Sequence, residues 1–408
     1  MRAPTGHDGP RIPLYNPEYA AEPHKLYEHM RSLHPSLVPV ELVPGVPATL
    51  VIGYHTAVSI LNDPERFPSD PRNWETGIPA DCPVRPMMQY RPNARHSDGF
   101  EHTRHRSANI AALTGIDLNA LHREIERVAG SLINSFCEHG QAELIGQYIR
   151  PLAFAALSAV LGCPADLARQ AVAGFDAIFN GVDPADAAIG YMQAADAMLE
   201  LSRRKRAQPG DDVTSHLIRH RSGFTDEEMV HQLTTLFGAG AEPQMNLIAN
   251  TLRLILTDER FAAGMLDGRL STRDAVDEVL FTDPPVANYC ATYPRQPVLI
   301  DGYWIPPHQP VLIGITACNT DPRVTSGDIR HNSSHLAWGA GPHSCPARSV
   351  AGVVVQDAID QLLDALPDIT LAIPPAELEW RPGPFHRALK SLPVTFPPSP
   401  PLYIGGSG

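Results

Sequence analysis

The sequence predicts a mainly α fold with a small β region. Helical spacing of apolar residues runs almost unbroken from 117 to 222, and the longest helical pattern covers 224–257. The β-like runs are few and short, at 37–43, 48–53, 298–300 and 311–315.

Residues 1–20 read as a Pro-rich lead, and PHKLYEHMRSL after it is amphipathic at helical spacing. The runs Leu37–Val43 and Ala48–Gly53 flank the turn-prone Pro44-Gly45 pair, which predicts a hairpin. In YHTAVSILNDPERF, Ala57, Val58, Ile60 and Leu61 share a helical face that ends at Asp63-Pro64. Residues 71–100 mix Pro, Arg and isolated apolar residues without a period. They read as one long loop, and because such loops commonly serve function, Met87, Met88 and Tyr90 are candidate pocket-lining residues.

In FEHTRHRSANIAAL, His102 and Arg106 are four residues apart and share a helical face, an arrangement that suits two carboxylates; the plainer reading is a solvated surface. From 117 to 222 the helical pattern breaks at His139-Gly140, Gly162 to Pro164, Gly181 to Pro184 and Pro209-Gly210. His216 and His220 have metal-ligand spacing, but Leu217 stands where a catalytic glutamate belongs and no third ligand follows, so a metal there is not expected.

The pattern at 224–257 opens with a Thr/Asp cap and an acidic first turn. At its centre, Gly238, Ala239, Gly240 and Ala241 leave room for a flat cofactor, and Glu242 puts a carboxylate beside that room. Pro243 lacks a backbone N–H and is expected to kink the helix and free a carbonyl. Near the C-terminus, HLAWGAGPHSCPARSVAG sets Cys345 in a glycine-punctuated loop running into a strongly periodic helix. Gly339 and Gly341 permit backbone that a Cβ forbids, and a helix N-terminus favours negative charge, so Cys345 reads as a metal-ligating thiolate. The plainer alternative is a structural cysteine in a turn.

This loop closely resembles the haem-binding loop of the cytochrome P-450 family, with Trp338, Gly339, Gly341, His343, Cys345 and Ala347 in the motif positions. The family usually has Phe where Trp338 stands and Gly where Ala347 stands. The blocks 102–106, 238–244, 278–289 and 338–347 follow one another in family order, and the resemblance spans nearly the whole chain. It implies a cytochrome P-450 fold over 1–408 as a single haem-thiolate domain, with haem b between the long central helix and the Cys345 loop. Cys345 is then the ligand of the haem iron, and His102 and Arg106 hold the propionates. His343, Trp338, Ala239 and Gly240 border the cofactor, Glu242 relays protons, and Gln244 orients water.

The resemblance also has departures. The family's central-helix Thr is Pro243 here. Its Glu-x-x-Arg keeps Glu278 but has Phe281 in the arginine's place, and Thr292 stands where a propionate-binding Arg is usual. The stretch from Pro322 to the loop is short and lacks the Pro-x-x-Phe region. Stranding one member of a buried ion network costs about 3–5 kcal/mol, so these losses belong together. Glu278 is expected to be protonated, solvated or paired anew, with Arg330 one candidate.

The implied activity is monooxygenation of a small-molecule substrate in secondary metabolism, with electrons from an external ferredoxin and ferredoxin reductase docking near Arg104 and Arg348. Pro243 keeps open peroxide-driven oxidation or coupling, and the missing arginines keep open a non-catalytic haem-binding or scaffold role. Composition narrows the setting. The 408 residues are 43% apolar and 19% charged, as in a globular chain, and the net charge of −13 argues against nucleic-acid binding. No run of about 18 apolar residues offers a membrane anchor. The cysteines Cys82, Cys137, Cys163, Cys290, Cys318 and Cys345 are scattered without pairs, which fits a reducing cytoplasm. The closing GGSG at 405–408 reads as an appended tail.

Overall fold

A computed structural model of the chain describes residues 10–180, 184–266, 268–325 and 332–403. The 405–408 tail and the candidate partner Arg330 lie outside the described residues. The molecule is organised around the helix Asp226–Thr257. Thr225 and Glu228 form a reciprocal capping box at its start, and Asp226, Glu227 and Glu228 place acids against the positive end of its dipole. Leu233, Phe237, Ala241, Ile248 and Leu252 are buried along it. Around it pack Arg150–Leu161, Pro184–Ala207, Thr272–Thr282 and Arg348–Ala365.

Phe237 stacks between Phe154 and Phe175, with ring centroids at 5.8 and 5.0 Å. Each such buried ring contributes about 2–3 kcal/mol over an exposed one. The neighbouring glycines serve the same packing. A Cβ at Gly238 or Gly240 meets Phe175 Cε1 or Leu157 Cδ2 at 2.7 Å, so both glycines seat flanking helices. Ala239, a step of about 100° away on the helix, is the small residue left exposed. The helix is unbroken through Pro243, whose missing N–H leaves the Ala239 carbonyl without its helical donor.

The β region contains a five-stranded sheet in the spatial order Ile12–Pro13, Leu37–Glu41, Pro47–Val51, Val311–Gly314 and Asn288–Thr292. The expected hairpin is present, with Leu37 opposite Val51. A smaller sheet joins Gln141–Glu143, Pro393–Thr395 and Thr370–Leu371. Its first strand lies inside the stretch read as helical. It is set by pairing with Pro393–Thr395 rather than by its own residues.

The segment 71–100 is not wholly loop, because Arg72–Glu75 and Arg85–Met88 each make a helical turn. Met88 is fully buried in a core with Trp74 and Leu312, so it is packing rather than lining. Among the described residues no helix is long and apolar enough to cross a membrane. His216 bonds Asp211 at 2.9 Å and His220 bonds Ser222 at 2.8 Å, each with its own local partner.

One link ties the start of the central helix to the helix Gly99–Thr114 that carries His102 and Arg106. Arg104 donates to Glu228, and His105 Nε2 lies 3.3 Å from the same carboxylate. Burial pushes the Glu228 carboxyl up, but Arg104, the Thr225 N–H and His105 bring it down to about 2. A depressed carboxyl stabilises the fold above its unfolded value, by on the order of 3 kcal/mol here. That contribution is expected to fade as pH falls from about 4.5 towards 2. Urea unfolding of Glu228→Gln and the parent across that range should converge at the acid end; a constant gap contradicts the assignment.

Candidate functional site

The Cys345 loop is closed by its own backbone. Cys345 N–H donates to Trp338 O at 2.7 Å, and Gly339 N–H to Leu336 O at 2.8 Å. Gly339 and Gly341 have φ of +67° and +66°, as the sequence required. At Gly341 a Cβ would lie 2.2 Å from Leu61 O, so the loop sits directly on the preceding helix Tyr54–Leu61. The helix Arg348–Ala365 begins three residues after Cys345.

The Cys345 side chain is exposed, though protein surrounds it closely. Burial raises the pKa of its thiol overall, and the Ala347 backbone N–H and the Arg106 guanidinium only partly offset that rise. An N–H aimed at sulfur and a nearby cation are the surroundings a metal-bound thiolate needs. Trp338 packs half-buried against the large helical core beside it.

Three basic side chains converge next to this thiol. Arg106 donates to the Ser344 carbonyl, and the rings of His102 and His343 lie 4.1 Å apart, tilted by 40°. Burial lowers the pKa of both imidazoles; Arg106 and His105 lower His102 further, and His102 and Arg106 bring His343 down to about 3. His102 Nε2 is buried without a hydrogen-bond partner. Asp98 is the carboxylate nearest His343, at 3.9 Å. An orphaned nitrogen and a guanidinium with no carboxylate partner among the described residues, beside an open thiol, fit a group bringing iron and two carboxylates, which is haem.

On the central helix, Glu242 is buried and accepts hydrogen bonds from Arg381 and, at 3.4 Å, from Asn246. Burial raises its pKa, but Arg381 and His386 outweigh that and hold it below the ordinary carboxylate value. The pair lines a cavity of about 150 Å³ with Arg150, Asp176, Asn246 and Lys390. Burial and Glu242 keep Asp176 above its ordinary value against the pull of Arg150. Gln244 is buried, and its Oε1 has no partner.

The departures at 278–292 have structural counterparts. Glu278 pairs anew with Arg260 at 2.6 Å, while the candidate Arg330 lies outside the described residues. Phe281 is buried and meets His335 edge-on at 5.4 Å. Asn319 supplies the tie between this helix and the Cys345 loop. Its Nδ2 donates to the Leu280 and Phe281 carbonyls at 3.0 and 3.2 Å, and its Oδ1 accepts from Leu336 N–H at 2.7 Å. Neutral amide bonds thus stand where charges were missing. Asn319→Ala leaves these buried groups unpaired, and a loss of about 3 kcal/mol is expected in urea unfolding. A loss below about 1 kcal/mol contradicts the tie.

Arg104, expected near a docking face, is committed to Glu101 and Glu228, whereas Arg348 is exposed. Arg387 is buried against Asp283 and the Ala20 carbonyl. Leu389, two residues on, lines the Glu242 cavity. Sequence reading missed Arg381 and Arg260, and it took Asn319 as part of the family resemblance without its bonds to Leu280, Phe281 and Leu336.

With fold and site in place, the comparisons agree. No family model matches the sequence. The cytochrome P-450 monooxygenase PikC of Streptomyces venezuelae is 30% identical over 388 residues, covering 92% of each chain. The 6-deoxyerythronolide B hydroxylase of Saccharopolyspora erythraea is 27% identical, covering 91% of this chain and 95% of its own. Among solved structures, CYP154A1 from Streptomyces coelicolor superposes with a TM-score of 0.83 at 25% identity, over 94% of this chain and all of the other. The chain belongs to the cytochrome P-450 family. It is a haem-binding oxidoreductase of the monooxygenase type with the P-450 fold.

Proposed function

We propose that the chain inserts one oxygen atom from dioxygen into a small organic molecule of secondary metabolism, with Cys345 as the residue that would hold the haem iron. The observation that carries this reading is the Cys345 thiol, left open within a closed loop and faced by the Ala347 N–H and Arg106. Haem held by a thiolate supplies oxygen activation, because the thiolate's electron density favours O–O cleavage. His102, Arg106 and His343 receive the propionates; Trp338 packs beside the loop, and Ala239 presents a small surface to the cofactor. Gly240 keeps the helix close to Leu157, so its part is to position that surface.

Glu242 passes protons inward from the cavity it shares with Asp176 and Lys390, where it sits paired with Arg381. Gln244, its carbonyl oxygen unpartnered, orients a water where Pro243 offers no hydroxyl. Electrons come from an external ferredoxin and its reductase, docking on the side of the exposed Arg348. All six cysteines are free thiols, in keeping with a cytoplasmic setting. Arg348→Glu is expected to slow reduction by an acidic ferredoxin at low salt; an unchanged rate contradicts this docking side.

Turnover with ferredoxin, reductase and isotopically labelled dioxygen tests the reaction, and one labelled oxygen in the product is the expected result. Pro243 favours one second reading, peroxide-driven oxidation or coupling. Product from peroxide but none from the ferredoxin system would select it.

A further inference from the structure

Several partly buried arginines of the chain pair with acids. Arg253 and Arg387 share Asp283, and Arg381 takes Glu242. Arg95 is different. Its Nη2 donates to the Met87 carbonyl at 3.3 Å, and its guanidinium lies 4.1 Å over the Tyr289 ring. Its Nε is buried without a partner, and no ion pair to Arg95 occurs among the described residues. Burial and the neighbouring Arg91 bring its pKa down to about 10, with only the weak acids Tyr293 and Cys290 opposing.

The surroundings add positive groups rather than a carboxylate. Arg91 lies 4.1 Å over Tyr191, with Glu75 its nearest acidic influence. His96, next in sequence to Arg95, is buried and kept neutral by burial and by both arginines. Burial likewise brings half-buried His386 down to about 4, although Glu242 opposes that shift. The place is close to the proposed reaction centre. Cys290 of the strand Asn288–Thr292 lies 3.7 Å from the Cβ position of Gly339 in the Cys345 loop, and it feels the charges of both Arg95 and Cys345.

Arg95 is half-buried with its Nε fully enclosed, and a guanidinium so far withdrawn from water is disfavoured unless a counter-ion accompanies it. We propose that Arg95 is a carboxylate-binding residue, which holds an acid group that a bound ligand carries into the interior between Tyr289 and the Cys345 loop. The carboxylate has two sources in this setting, a haem propionate or an acidic substrate. The setting rests on the haem-thiolate reading; the pairing of Arg95 with an incoming carboxylate does not depend on turnover.

Two measurements on the full-length parent, Arg95→Gln and Arg95→Lys separate these sources. The first is the rate of haem transfer to excess apomyoglobin, with circular dichroism melting as the folding control. The second is calorimetric titration with 4-phenylbutyrate and octanoate against their neutral amides, which needs no haem absorbance. Haem loss at least tenfold faster in Arg95→Gln and near the parent rate in Arg95→Lys assigns the propionate. Unchanged haem loss, with a parent preference for acids over amides that Arg95→Gln loses and Arg95→Lys keeps, assigns an acidic substrate. Equal acceleration of haem loss in both variants, or unchanged haem loss with no acid preference in the parent, overturns the proposal. A parent that takes up no haem refutes the wider reading, and the calorimetric arm still decides this one.

Discussion

Replacing Cys345 with serine is expected to reduce oxygenation at least about 10³-fold while leaving the fold standing, a barrier increase of about 4 kcal/mol. The hydroxyl nearly matches the thiol in size, and the backbone bonds that shape the loop, Cys345 N–H to Trp338 O and Gly339 N–H to Leu336 O, do not involve the side chain. The positive φ values at Gly339 and Gly341 likewise persist. Serine does not ionise in the physiological range, so the Ala347 N–H and Arg106 no longer face a thiolate, and the electron donation that favours O–O cleavage is lost. Turnover per bound haem, measured beside a melting curve, checks both halves. A folded Cys345→Ser variant with more than about a tenth of parent activity contradicts the assignment.

Replacing Glu242 with glutamine is expected to lower turnover about 10²-fold, the scale of a lost proton-transfer group. The amide keeps the shape and can still accept from Asn246, but it has no proton to exchange with the cavity shared with Asp176. The pH dependence follows from the ion pair. Because Arg381 and His386 hold Glu242 below the ordinary carboxylate value, it stays ionised at neutral pH and protonates only as pH falls through that lowered value. Arg381→Met removes the largest opposing influence, so the acid limb of the pH–rate profile is expected to move towards neutral. An unmoved limb in Arg381→Met with full activity in Glu242→Gln contradicts the relay. Arg381→Met also strands a buried carboxylate, so a stability loss of about 3–5 kcal/mol accompanies the shift.

What the sequence made legible is local. The capping box and period of 226–257, the hairpin at 37–51 and the glycines at 339 and 341 each depend on residues close together in the chain. The cluster of His102, Arg106 and His343 was legible in part, since four-residue spacing set the first pair and the loop motif supplied the third. Partners brought together by folding were not. Arg381 reaches Glu242 across 139 residues, Glu278 turns to Arg260, and Asn319 replaces charge with amide bonds to two carbonyls. Gly238 and Gly240 show how a correct observation can acquire a different meaning. Their missing side chains do make space, but Phe175 and Leu157 take it, and Ala239 keeps the open face. Gln141–Glu143 is a strand because Pro393–Thr395 pairs with it, which no window around residue 141 records.

The carbon monoxide difference spectrum of the reduced, haem-loaded parent protein tests the central claim most directly. If Cys345 holds the iron as a thiolate, the Soret band of the carbon monoxide complex lies far to the red of that given by imidazole ligation. A band typical of imidazole or of a neutral thiol, or a protein that takes up no haem, would contradict the account.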